Sequence, residues 1–343
     1  MRSSIGIAAA LTLLIATHAH SQISPSGEMA MQPTAADHAA ALAATSRYRH
    51  ARPARNYTGQ ALRDNNGVAK PGTRHAGLLR YFGDVTYGGG PVVTSVESHA
   101  VYLQPLTGTQ CTIASCWGDP EGFLRDLGRS DFIHDVDQYV GLYGGERYTV
   151  GFHASVNYSP QPTPLLDTDV QAFVHAIAVK SGATGYGHIY DVFLPPGQDE
   201  CFDATLDICY SPDNPAAFYY CSYHSSVDFP DIGHVLYVVV PFQNVTDCQV
   251  QPGTPNGTLV DTVDDTLDHE TIESITDPDG DAWTNEGSAP YLGLEIADEC
   301  AFFSYDASQN IYYTQAPVFL IGRHTYAAQT VYSNAQHACS SAP

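Results

Sequence analysis

Lysine is almost missing from this chain: Lys70 and Lys180 are the only two in 343 residues. With the arginines they make 14 basic residues against 37 acidic ones, a formal net charge of −23. So acidic a chain is not expected to bind nucleic acid, because phosphate-backbone binding rests on counterion release by Lys and Arg. Charge of either sign is scarce at 15%, against roughly 25% in an average soluble chain. No apolar stretch is long enough to cross a bilayer, which takes about 20 residues. No Cys-x-x-Cys occurs, so a zinc ribbon or a thioredoxin-like site is not indicated. No Gly-x-Ser-x-Gly elbow occurs either, which removes an α/β-hydrolase serine. Internal repeats are absent.

What is present points first to export. Met1–Arg2 precede an apolar run from Ile5 to Ala16, and Ala19 and Ser21 stand two apart. That is the pattern of a cleaved secretory signal over residues 1–21, so the mature chain is expected to be secreted, extracellular or periplasmic, with no membrane attachment after cleavage. Eight cysteines in an exported chain read as four disulfides. Proximity favours Cys111–Cys116 and Cys201–Cys209. With every cysteine bridged, a cysteine nucleophile is not expected. Hydrophobic residues at 43% and 22 tyrosines can offset chain entropy, so the chain as a whole is not disordered.

Charge divides the chain. Residues 1–80 hold nine of the 14 bases and three acids, Glu28, Asp37 and Asp64; residues 81–343 hold five bases and 34 acids, a net of −29. The stretch 22–75 is basic and of low complexity, with Arg47, Arg49, Arg52, Arg55 and Arg63 and one short Ala-rich helical patch, Ala35–Ala44. Two readings stand: a plain linker, or a pro-segment that docks on the acidic domain and is later removed. Residues 76–343 form the acidic globular unit. Strands are expected over Val92–Leu103, Tyr148–Tyr158, His188–Leu194 and His234–Val240, and helices over Glu121–Gly128, Asp131–Val140 and Asp167–Lys180 with Asp167 as N-cap. The expected class is α/β or α+β: one disulfide-braced, mixed-sheet domain.

The chemistry concentrates in Leu259–Cys300. Val260, Val263, Leu267, Ile272 and Ile275 support a helix that Pro278 should end near Thr276. On it His269 and Glu273 are four residues apart, on one face, and Glu270 lies about 100° round from His269. In His-Glu-x-x-His the two imidazoles hold zinc and the glutamate acts as general base on metal-bound water. Here Glu273 replaces the second imidazole, and a carboxylate also ligates zinc. Zinc is the first expectation, with manganese or calcium as other divalent candidates. A third ligand would come from Glu295 or Asp298 on the next element. By composition about 0.03 copies of His-Glu with His or Glu at +4 are expected in such a chain. The competing reading is a solvated acidic helix face with a lone histidine. Asp277, Asp279 and Asp281 do not make an EF-hand, since the glycine is misplaced and no glutamate closes the loop. His175 reads as structural, and His224, beside Cys221, as a residue that supports a ligand or orients a substrate. A paired-carboxylate glycosidase has no distinguishing spacing here.

Several stretches resemble the secreted phosphate-induced/EXORDIUM-like proteins of plant cell walls and related bacterial exported proteins. They are Tyr87–Val93 leading to Val101-Tyr102-Leu103, Phe218–Ser225, His269–Pro278 with Ala282-Trp283, Glu295–Cys300, and Tyr332-Ser333-Asn334 before Cys339. The resemblance runs in order along most of residues 81–343. It implies a cell-wall or extracellular location, a single site shared by the His269/Glu270/Glu273 helix and the Glu295–Cys300 segment, and a Cys300–Cys339 disulfide. Inserts around Cys201–Cys209 and the acidic Asp277–Asp281 run depart from the plant pattern. The expected function is a secreted, zincin-like, metal-dependent hydrolase of peptide bonds, monomeric, with Glu270 catalytic and His269, Glu273, Glu295 and Asp298 as metal ligands. The rival is a non-catalytic wall-associated protein that binds carbohydrate or a protein partner.

Overall fold

Residues 29–53, 83–108, 111–160, 163–287, 292–306, 308 and 311–343 are described by the structure, a computed structural model. The signal segment 1–21 lies outside the described residues. Eight strands make the main sheet: β1 (Met29–Met31), β2 (Thr45–Pro53), β3 (Val96–Pro105), β4 (Tyr148–Val150), β5 (Ala154–Tyr158), β6 (His188–Phe193), β7 (Tyr220–Phe229) and β8 (Gly233–Val240). Their order is β1-β5-β3-β6-β8-β7-β2, with β4 joining β3 on the same side as β5. Only the β8/β7 and β7/β2 pairs are antiparallel, so β7 alone runs against the other strands. The fold is therefore mixed α/β around a large mixed sheet.

Central parallel strands are covered on both faces and read as nearly continuous apolar runs. In β8, Leu236, Val238 and Val240 pack on one side and Val235, Tyr237 and Val239 on the other. The first side is closed by α2 (Pro120–Leu127) and α4 (Thr258–Thr276), the second by α1 (Ala35–Ala43) and α3 (Asp167–Ser181). Asp167 opens α3 rather than capping it. Its buried carboxylate accepts from Arg49, Gln171, Tyr223 and Tyr237, so it serves the core beneath the helix. The expected 148–158 strand is interrupted at 151–153, where β4 gives way to β5.

Two features bear on the sequence reading. Part of the 22–75 stretch is built into the sheet: β1 pairs with β5 at one edge, α1 packs on α3, and β2 pairs with β7 at the other edge. Helix α4 is not a solvated acidic face. Every residue from Asp261 to Thr276 is buried, because the sheet lies on one side and the segments 292–300 and 324–333 lie on the other. Its bounds follow the sequence: Asp277, before Pro278, leaves the helical region at φ −147° and ψ 60°, as the proline ring requires.

Four cysteine pairs stand at disulfide distance: Cys111–Cys116, Cys201–Cys209, Cys221–Cys248 and Cys300–Cys339. They fit an oxidising, extracellular setting. Among the described residues no helix is long and apolar enough to cross a membrane.

Candidate metal centre

Strand β7 presents Ser222 and His224 to α4, where a core strand would ordinarily present aliphatic side chains. The space so left is filled by the carboxylates of α4. Ser222 Oγ lies 2.5 Å from Glu270 Oε1 and donates to it. On the same helix His269 Nε2 stands 3.1 Å from Glu273 Oε2, one turn away. The 292–300 segment closes the group. The Asp298 amide donates to Glu273 Oε1 at 3.1 Å, Asp298 Oδ1 lies 3.7 Å from His269 Nε2, and Glu295 Oε2 lies 3.4 Å from His224 Nε2. His224 Nε2 is also 3.7 Å from Glu273 Oε2.

Four of these atoms have no hydrogen-bond partner among the described residues: His224 Nε2, His269 Nε2, Glu273 Oε2 and Glu295 Oε2. All four side chains are at most 1% exposed. A single unsatisfied buried polar group costs ~1–3 kcal/mol, more when charged, so four neighbouring ones are costly to leave without partners. Atoms bound at 2.0–2.1 Å to a tetrahedral zinc stand about 3.3–3.4 Å apart. The neighbouring contacts His269–Glu273, His224–Glu295 and His224–Glu273, at 3.1, 3.4 and 3.7 Å, are each of that order. Two imidazoles with two carboxylates suit zinc better than calcium, which prefers oxygen throughout.

Gln329 sets the imidazole of His269. Its Nε2 donates to the Ala297 carbonyl at 2.7 Å, which leaves Oε1 facing His269 Nδ1 at 3.2 Å. An amide oxygen only accepts, so Nδ1 carries a proton toward Gln329 and Nε2 faces the cluster. The Gln329 amide also donates to Asp265 Oδ1. Electrostatics follow from the crowding. Burial disfavours protonated His269, but Glu273, with Glu270 and Asp298, outweighs it and lifts the pKa to about 9. Burial and the neighbouring His50 and His269 hold His224 well below its ordinary value. Burial raises Glu270 to about 7, with His269 opposing and Glu273 adding to the rise.

The structure thus brings together all five residues singled out from the sequence: His269, Glu270, Glu273, Glu295 and Asp298. His224, read as a supporting residue, lies among them. Two further contributors escaped the sequence. His50 Nε2 is 2.6 Å from Asp298 Oδ2 and its Nδ1 is 3.3 Å from Glu295 Oε1; Tyr48 donates to Glu295 Oε1 at 2.8 Å. Their only signal was the alternation Ser46, Tyr48, His50, Arg52 within a basic stretch. Ligand-capable atoms are close enough for a cation in two overlapping groups here, His50/Glu273/Asp298 and His224/Glu270/Glu273, and in a separate one, Glu97/His99/His188. No protein-family model, curated protein or solved structure matches the chain.

Proposed function

We propose that this chain is an exported, zincin-like metal-dependent hydrolase that cleaves peptide bonds. The observation that carries the reading is the buried group His224, Glu270 and Glu273 from β7 and α4, whose ligand-capable atoms lie close enough to share a cation, with His269 Nε2 and Glu295 Oε2 beside it. His224, His269, Glu273 and Glu295 would hold zinc, or another divalent ion of similar taste, with Asp298 at its margin. A divalent cation so held lowers the pKa of bound water and polarises a carbonyl. Glu270 takes the proton in this scheme. Its Oε1 is fixed by Ser222 while its Oε2 has no hydrogen-bond partner among the described residues, which suits a general base. Gln329 holds Nδ1 of His269 as a donor, so a metal would displace the proton of Nε2 and bind there. Four disulfides agree with export, and the order of the motifs resembles that of the EXORDIUM-like proteins.

Elemental analysis and hydrolysis of a quenched peptide library, with a chelator control, test the proposal together. Glu270→Gln should keep the metal and lose hydrolysis. His269→Ala should lose both. A purified chain without stoichiometric metal, even after zinc dialysis, would remove the reading.

A further inference from the structure

We infer that the outer edge of β7 is a binding strand for an extended basic polypeptide, and that Thr45–Pro53 is its resident occupant. The inference rests on the hydrolase reading for its consequence, and on the following geometry for its content. β7 is the one strand that runs against the sheet, and β2 is the outermost strand. The two pair antiparallel from Tyr220↔Pro53 to Asp228↔Thr45, with irregularities at Tyr220/Ser222 and Ser226/Val227. Backbone pairing along an exposed edge is the usual way a protein takes up an extended chain.

The side chains of β2 are unlike those of a core strand. Thr45-Ser46-Arg47-Tyr48-Arg49-His50-Ala51-Arg52-Pro53 holds no large aliphatic residue. Its anchors are three arginines on four acids drawn from four places. Arg47 pairs with Asp228 and lies 3.6 Å from Asp279, Arg49 Nε is 2.7 Å from Asp167, and buried Arg52 pairs with Asp265. Alternation sends Tyr48, His50 and Arg52 to the α4 side and Arg49 to the α3 side. His50 is opposite His224 in the register, so its ring covers the metal cluster and takes up Glu295 Oε1 and Asp298 Oδ2. While β2 is seated, His50 occupies the side of the centre that faces β2. A polypeptide seated in its place would pair with β7 and set basic residues against Asp167, Asp228 and Asp265.

Covalently, the occupant is free to leave once the chain is cut after it. All eight cysteines follow residue 110, so no disulfide ties residues 29–53 to the rest. The test uses the full chain with a site for a sequence-specific protease inserted between residues 53 and 83. After cutting, a labelled synthetic peptide of the Thr45–Pro53 sequence should exchange into the protein. A scrambled peptide should not, and one with all three arginines replaced by alanine should bind at least tenfold more weakly. Hydrogen exchange of the Tyr220–Phe229 amides should rise when the segment leaves and fall again with the peptide. If the cut chain retains residues 29–53 even with Arg49→Ala and Arg52→Ala, loses its near-ultraviolet circular dichroism on releasing them, or takes the scrambled peptide equally well, β2 is a structural strand and the inference is overturned. Peptide exchange without hydrolysis by the zinc-loaded cut chain would sink the hydrolase reading and leave the binding strand standing. Hydrolysis by the uncut chain with β7 fully protected would do the reverse.

Discussion

Arg52 is the anchor whose removal has the most calculable consequence. Its guanidinium is 2% exposed and sits between Asp265, Thr266 Oγ1 at 2.9 Å and Thr314 Oγ1 at 3.1 Å. Arg52→Met keeps much of the stem and deletes the charge. Asp265 is then buried with a single remaining donor, the Gln329 amide. Breaking a buried pair on one side costs ~3–5 kcal/mol, whereas replacing both partners by neutral groups is often close to neutral. At about 2–4 °C per kcal/mol for a chain of this size, the single variant should melt roughly 6–20 °C lower if β2 unfolds together with the domain. If β2 releases first, the loss should appear instead as faster hydrogen exchange in β7 with little change in global melting. Arg52→Met/Asp265→Asn should recover most of the deficit. Denaturant unfolding and exchange of the four forms give the coupling energy directly. Single variants within about 0.5 kcal/mol of wild type in both assays, without coupling, would show that the pair does not hold β2 as described.

Asp135 offers a test with a definite sign. It is fully buried, its carboxylate has no partner among the described residues, and burial pushes it up to about 7. Below about pH 4 the folded and unfolded chains are both protonated there, so the group contributes nothing. Between about pH 4 and 7 the unfolded chain ionises first and stability falls, levelling at a deficit of ~4 kcal/mol. Asp135→Asn should therefore be the more stable protein at pH 8, with the gap closing at pH 4. Urea unfolding at the two pH values decides it, and a gap independent of pH would contradict the burial argument. Gly128→Ala should cost ~1–3 kcal/mol or more, because the new Cβ would stand 2.2 Å from the Tyr148 carbonyl oxygen, a backbone atom of β4. Thermal melting would refute this if the alanine were tolerated. Gln329→Leu should weaken zinc binding by roughly 10–100-fold while leaving the fold intact, read by competition with a chromophoric chelator.

The sequence made local features legible and left partners hidden. Helix α4 was readable because its apolar spacing and Pro278 act within a few residues. The helix over 167–181, the strands at 188–193 and 233–240 and the short-range disulfides were readable for the same reason. The burial of α4 was not. Asp261, Asp265 and the Nδ1 of His269 are met by Asn256, Ala327, Arg52 and Gln329, most of them distant in the chain, and without those partners a run of acids reads as a solvated face. His50 was hidden for a related reason. A strand held by ion pairs and backbone hydrogen bonds carries no hydrophobic alternation, so β2 looked like low-complexity chain. The candidate centre was half legible: His269, Glu270 and Glu273 share one helix, and Glu295 and Asp298 follow on the next element. The roles of Ser222 and Gln329 depend on tertiary approach alone.

The most direct test of the central claim is a zinc titration of the full chain after exhaustive chelation, followed by dialysis long enough for ions to pass β2. One equivalent should bind to wild type, and His269→Ala and Glu273→Gln should each abolish that equivalent without unfolding the protein. Binding of no zinc, or of one equivalent indifferent to both substitutions, would contradict the account.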